Sequence, residues 1–138
     1  MKKEKSLPRL IKECQIAFNE YIRLRDLTDE YFKCISCGEI KDERFMHCGH
    51  FYNVGHFDGL RFDEDNAHGQ CNHCNTFLHG NLLEYRKNLL FKIGIKRFNL
   101  LEIRAGVYKR SGNKWTRFDL LYKIDELKKK IKALERNF

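Results

Sequence analysis

Apolar residues recur at helical spacing in three stretches of this chain, and the segments between them alternate only briefly. Leu10, Ile11, Cys14, Phe18, Tyr21 and Ile22 fall on one helical stripe. Ser6-Leu7-Pro8, just ahead, supplies a capping hydroxyl and a proline for a first turn, so a helix is predicted to run to about Leu27-Thr28-Asp29. Cys14 lies on its apolar stripe and reads as core. Leu82, Leu83, Tyr85 and Leu89 predict a helix from Asn75 to Gly94, with Gly80 a weak point inside it. A short helix over 96–104 and an exposed basic loop from Lys109 to Lys114 are expected next. Thr116-Arg117-Phe118-Asp119 has the form of a helix-capping start. The helix it opens carries Leu120, Ile124, Leu127, Ile131 and Leu134, a heptad seam two repeats long that packs on its own domain or joins two copies.

Between the first two helices the pattern shortens. Tyr31-Phe32-Lys33 predicts a short strand, Glu43 to Cys48 a second, and Phe51 with Leu60-Arg61-Phe62 a third. Gly49, Gly55 and Gly59, with Asn53 and Asp58, punctuate the region. The expected organisation is one α+β domain in three segments. Residues 1–30 form an N-terminal helix packed on the core, 31–94 the core itself, and 95–138 a helical, basic extension.

Composition narrows the class. The chain has 138 residues and a formal net charge of +8, which suits a polyanionic partner, nucleic acid first. No apolar run approaches the length of a membrane span, and the charged start, Met1 to Lys5, is not followed by a signal-peptide core. Six cysteines are present. Without an export signal, four of them in Cys-x-x-Cys pairs point to metal in a reducing, cytoplasmic compartment rather than to disulfides.

Those pairs are Cys34-Ile35-Ser36-Cys37 and Cys71-Asn72-His73-Cys74. Four thiolates are what a closed tetrahedral zinc site needs. The 33 residues between Cys37 and Cys71 exceed the usual spacing of such knuckles and hold most of the histidine. Phosphodiester cleavage near neutral pH needs a base for water and a cation for the charge on phosphate and leaving oxygen. His50 suits the base, since histidine titrates near 6.5. Gly49 before it can adopt backbone angles closed to other residues and admit a phosphate. Asn75, fixed by the last cysteine and opening a helix, offers an oxygen to a hard cation. His79, four residues on, would share its helix face, and His47 would join His50 through a turn at Gly49. Asn66 reads as a turn residue or as a brace for the His50 loop. Asp63, Glu64 and Asp65 read as a solvated acidic turn or a metal site. His56 and His73 carry no role, and His68 only a supporting one. Arg9, Lys12, Arg23, Arg25, Arg61, Arg86 and the lysines of the last helix are candidates for phosphate contact or for a wet face.

A knuckle pair enclosing a Gly-His hairpin, with Asn opening the next helix, resembles the His–Asn–His (HNH) nucleases of the ββα-metal group. Tyr21-Ile22-Arg23-Leu24-Arg25-Asp26, Cys34-Ile35-Ser36-Cys37-Gly38, Gly49-His50-Phe51, Leu60-Arg61-Phe62, Glu64-Asp65-Asn66, His68-Gly69-Gln70-Cys71, Cys74-Asn75, Gly80-Asn81 and Glu84-Tyr85-Arg86 resemble the NinG (Rap) family of phage recombination endonucleases. The resemblance spans roughly residues 20 to 90. It implies a zinc-clamped ββα-metal core with an N-terminal helix and C-terminal helices. It implies an endonuclease, dependent on Mg²⁺ or Mn²⁺, that acts on branched DNA in the cytoplasm of a bacterial host. His50 matches the base and Asn75 the metal position. Position 47 departs from the family's acidic residue, and a nitrogen ligand there also admits softer ions such as Ni²⁺ or Zn²⁺. The rival readings are a sequence-specific HNH endonuclease and a non-catalytic zinc module that binds nucleic acid.

Overall fold

A computed structural model describes residues 3–136 of the chain. Met1 and Lys2 of the charged start, and Asn137 and Phe138 of the C-terminal extension, lie outside the described residues, as do the side chains of Arg110 and Ser111. Helix α1 spans Leu7–Asp26, with Ser6 Oγ accepting from Arg9 N at 3.4 Å and Pro8 in the first turn. Arg23 and Arg25 sit in its last turn, where cations suit the carbonyl end of a helix. Three short strands follow, β1 (Leu27–Thr28), β2 (Tyr31–Lys33) and β3 (Ile40–Asp42), paired antiparallel in that order.

A second antiparallel pair carries the site: β4 (Met46–His50) against β5 (Ala67–Cys71), with His47 opposite Gln70, Gly49 opposite His68 and His50 opposite Ala67. The partner of β4 is therefore Ala67–Cys71 and not the expected strand at Phe51 with Leu60–Phe62. The latter forms a single 3₁₀ turn at Asp58–Leu60, and Glu43–Phe45 another. The reason is burial on both faces. All five residues of β5 are buried, so its Ala-His-Gly-Gln-Cys sequence shows no alternation to read. A Cβ on Gly69 would stand 2.6 Å from Met46 Cε and 3.4 Å from Asp26 Cβ, so a larger residue there would have to displace the Met46 side chain.

The helix expected from Asn75 is interrupted. A short π-helical segment covers His73–Phe77, then His79, Gly80 and Asn81 take left-handed angles (φ 50°, 95° and 42°). Helix α2 begins at Leu82 and runs to Ser111, kinked rather than stopped at Gly94 (φ 83°, ψ 161°). The expected separate helix over 96–104 is thus its second half, and Lys109 to Ser111 are helical rather than loop. Helix α3 (Arg117–Glu135) opens with the expected capping box between Thr116 and Asp119.

Two main cores result. Leu10, Cys14, Phe18 and Ile22 of α1 meet Leu120 and Leu127 of α3, with Phe62 and Ala67. Tyr85, Leu89 and Ile93 from one half of α2 meet Phe98 and Leu101 from the other, over Leu60 and Ile35. The α3 seam is thus spent on its own chain. The acidic turn is neither solvated nor gathered on one point. Asp63 pairs with Arg104 at 2.7 Å, Glu64 with Lys130 at 2.8 Å, and Asp65 with Arg97, tying the loop to α2 and α3. Leu127→Ala should therefore lower unfolding stability by about 2–5 kcal/mol in urea titration, the usual range for a core leucine. A change in oligomeric state without loss of stability would mean that the seam faces a partner.

Candidate functional site

The first knuckle is built by backbone. Cys34 N donates to Glu39 O and Gly38 N to Cys34 O, both at 2.9 Å, with Gly38 left-handed at φ 76°. Ile35 N donates to Gly69 O at 3.0 Å, so the knuckle is stitched to β5, whose last residue is Cys71. The ligand atoms of Cys34, Cys37, Cys71 and Cys74 lie within 4.8 Å of one another, and Cys37 Sγ is 4.0 Å from Cys71 Sγ. Thiolates bound at about 2.3 Å in a tetrahedron stand roughly 3.8 Å apart. The cluster therefore fits a tetrahedrally bound ion. Burial opposes ionisation of Cys34, but N–H groups of Cys71, Cys37 and Ser36 aimed at its sulfur outweigh it and lower its pKa. Cys37, Cys71 and Cys74 are raised by burial and by sulfurs beside them, a cost a cation would remove. Cys14 and Cys48 lie outside the cluster; burial pushes both thiols up to about 12, leaving them inert.

His50 ends β4. Its Nε2 lies 2.9 Å from the Arg61 carbonyl. A carbonyl only accepts, so Nε2 carries the proton and Nδ1 keeps its lone pair. The ring stacks on Phe18 with centroids 6.1 Å apart. Burial holds its pKa below the ordinary 6.5, against the opposing pull of the Arg61 carbonyl. Arg61 thus serves through its main chain, while its guanidinium pairs with Asp58 at 2.9 Å. Asn66, fully buried, accepts from Tyr52 N at 2.8 Å and donates to Tyr52 O and Leu60 O at 3.0 and 3.2 Å. These bonds tie Asn66 to the loop of residues 51–66 that carries the Arg61 carbonyl.

His47 and Asn75 also meet, with Asn75 Nδ2 donating to His47 Nδ1 at 2.9 Å. Asn75 Oδ1 is left without a hydrogen bond among the described residues. Two expectations fail here. No turn at Gly49 brings His47 to His50: β4 stays extended through both, so their side chains leave opposite faces. Gly49 is not left-handed, and what approaches it is Gln70, whose Oε1 a Cβ would meet at 2.0 Å. His79 does not share Asn75's helix face either, since it lies past the π-helical segment, exposed and left-handed.

A groove of about 450 Å³ collects Met46, Cys48 and His47 along the unpaired edge of β4, with Asn75 and with Asn19, Glu20 and Arg23 of α1. Asn19 and Glu20 were not legible as site residues, because helical spacing marked only the buried stripe, and Arg23 stood out only as a candidate for phosphate contact. His50 is two residues beyond Cys48 on the same face, roughly 7 Å along the strand.

A family model described as bacteriophage lambda NinG protein matches residues 1–137. The chain belongs to the NinG family. Protein ninG of Salmonella phage P22 is 36% identical over 124 residues, 90% of this chain and 57% of that protein. Protein ninG of Escherichia phage 933W is 39% identical over 92 residues, 67% of this chain and 44% of that protein. Protein ninG of Escherichia phage lambda is 38% identical over 92 residues, 67% of this chain and 43% of that protein. The chain spans about half the length of the curated relatives it matches. No solved structure matches it.

In this NinG-family chain, Arg25 and His68 prove structural. Arg25 pairs with Asp26 and donates to the Glu64 and Ala67 carbonyls, both at 2.8 Å. Asp26, held well below the usual carboxylate range despite burial by Arg25 and Lys92, also accepts from Gly69 N at 2.8 Å. His68 Nε2 donates to Asp65 O at 2.9 Å, and Nδ1 receives Arg25 and Lys92 at 3.0 and 2.9 Å. Burial and those two cations push its pKa down to about 3. Folded His68 thus stays neutral down to about pH 3, whereas unfolded it takes a proton near 6.5. Between those values the unfolded chain binds the extra proton, so stability falls as pH falls. Urea titrations between pH 7 and 4 should lose about 1 kcal/mol per pH unit from this group. A stability profile flat over that interval would contradict the buried neutral His68.

Proposed function

We propose that the protein is a metal-dependent endonuclease that hydrolyses DNA phosphodiesters, with Cys34, Cys37, Cys71 and Cys74 holding structural zinc. The observation that carries this reading is the His50 imidazole. Its Nε2 is committed to the Arg61 carbonyl at 2.9 Å, which leaves Nδ1 its lone pair, and the strand that it ends also carries His47, which meets Asn75 at 2.9 Å. Two antiparallel strands followed by a short helical segment, with a histidine ending the first and an asparagine in the helix, agree with the ββα-metal arrangement the sequence resembles.

In this reading the scissile phosphate lies across the free edge of β4. His50 Nδ1 takes the proton of the attacking water. The water oxygen bonds phosphorus as the bond from phosphorus to the 3′ oxygen breaks, and that oxygen takes a proton from solvent, leaving 5′-phosphate and 3′-hydroxyl ends. A divalent cation, when bound by Asn75 Oδ1 and His47, supplies positive charge for the phosphate and the leaving oxygen. Asn66 positions His50 through the loop carrying the Arg61 carbonyl. His79 is not needed. The favoured substrate is a branched recombination intermediate, as the family resemblance implies, met in the cytoplasm of a phage-infected or lysogenic bacterium.

His50→Ala should cut the cleavage rate by about 10²- to 10⁴-fold. DNA affinity should hardly change, while the melting temperature should fall modestly, because the ring stacks on Phe18 and bonds the Arg61 carbonyl. Because burial lowers the His50 pKa, cleavage by the parent protein should persist below pH 6.5 before its acid limb falls. Asn75→Ala should lose cleavage and regain part of it at high Mn²⁺. His50→Ala cleaving as fast as the parent, with contaminating nuclease excluded, would mean that His50 is not the base; a parent protein that binds DNA but cleaves none would leave the non-catalytic binding module as the reading.

A further inference from the structure

Helix α2 buries Tyr85, Leu89 and Ile93, and Phe91 stands on the opposite side, 93% exposed, the most exposed of the large apolar side chains among the described residues. Scattered apolar side chains on a surface are ordinary. Phe91 differs in forming a wall of a cavity of about 460 Å³, shared with Lys33, Ile35, Asn88, Lys92 and the last turn of α1. That volume lies within the ~300–1,000 Å³ common to small-ligand sites. The charge of the cavity is positive. Its one carboxylate, Asp26, is already satisfied by Arg25, Lys92 and Gly69 N. Lys33 is exposed and has no acidic partner among the described residues.

We propose that this cavity holds an unpaired nucleotide of a DNA strand, its base stacked on Phe91 and its phosphate held by Lys33. An aromatic wall with cations beside it is the combination that binds single strands without reading sequence. Paired bases are covered by their neighbours, so Phe91 discriminates for unpaired ones. The inference rests on the reading that DNA is the partner. It extends that reading by assigning where the unpaired strand at a branch is held. The cavity and the groove beside β4 border the same end of α1, which gives Arg25 and Asp26 to one and Asn19, Glu20 and Arg23 to the other. Glu20 and Asp26 are six residues apart, about 9 Å along a helix.

The test measures affinity of the full chain for a fluorescent single-stranded oligonucleotide and for a blunt duplex of the same length, at fixed salt. Phe91→Ala should weaken single-strand binding roughly 5- to 150-fold, the span of one lost stacked base. Its duplex affinity and melting temperature should match the parent. Phe91→Trp should retain single-strand binding, with added tryptophan fluorescence quenched by the single strand and not by the duplex. Lys33→Gln should reduce the salt slope of single-strand binding by about one. Unchanged single-strand affinity in Phe91→Ala, or equal losses on both DNAs, overturns the proposal and leaves the nuclease reading standing. So does a change in sedimentation on removing Phe91, which would make the patch an interface between copies. A parent protein that binds neither DNA overturns both readings.

Discussion

Four sulfur atoms within 4.8 Å of one another either share a cation or repel, and most of the site geometry follows from how that conflict is resolved. Three of the thiols are held back from ionising by burial and by neighbouring sulfur, and a bound ion turns that cost into attraction. The cluster joins the knuckle after β2 to the end of β5. Whatever closes it therefore fixes β5 against β2 and β3, and fixes the segment starting at His73. Asn75 is one residue past the last ligand, so its place opposite His47 depends directly on closure. The small body of the protein makes this dependence strong. Phe32, Cys34, Met46, Cys71 and Cys74 form a third core cluster that is itself built on the ligands.

Around that clamp, buried polar contacts set the fine geometry. Asn66 spends its whole side chain on the loop behind His50, and the Tyr85 hydroxyl donates to the Gly49 carbonyl at 2.7 Å. Gln70 donates to Ser36 Oγ and to Gly80 O at 2.8 and 2.7 Å, linking the hairpin to the first knuckle and to the turn ahead of α2. Charge does the same work at longer range. Asp63, Glu64 and Asp65 anchor the site loop to α2 and α3, and Asp26 anchors β5 to the end of α1. Much of the net positive charge is consequently engaged internally. The basic groups left for a polyanion are fewer than composition suggests, and Lys33 is one of them.

The residues most legible in the sequence were those whose spacing carries a rule. The cysteine pairs, the caps at Ser6 and Thr116 and the stripes of α1 and α3 all lie where pattern placed them. Strand β5 was hidden because burial on both faces selects small and polar residues over alternation. The break at His79, Gly80 and Asn81 was hinted at only by glycine, and it removed His79 from the helix that made it a candidate. His50 and Asn75 were legible as chemistry, but what orients His50 is a main-chain carbonyl of Arg61, which no side-chain pattern reveals. Gly49 was legible as special for the wrong reason, since Gln70 rather than a ligand crowds it.

If an ion in the cysteine cluster holds the hairpin and Asn75 in place, residue-resolved hydrogen exchange of the metal-loaded protein before and after chelation will show it. The amides of Cys71 and Cys74 donate to Cys34 and Cys71 sulfurs at 3.3 and 3.4 Å, so they report on the cluster itself. Removing the ion should abolish protection across residues 67–77 and 46–50, while the paired helices α1 and α3 stay protected. Protection of the hairpin that survives verified loss of the ion would contradict it.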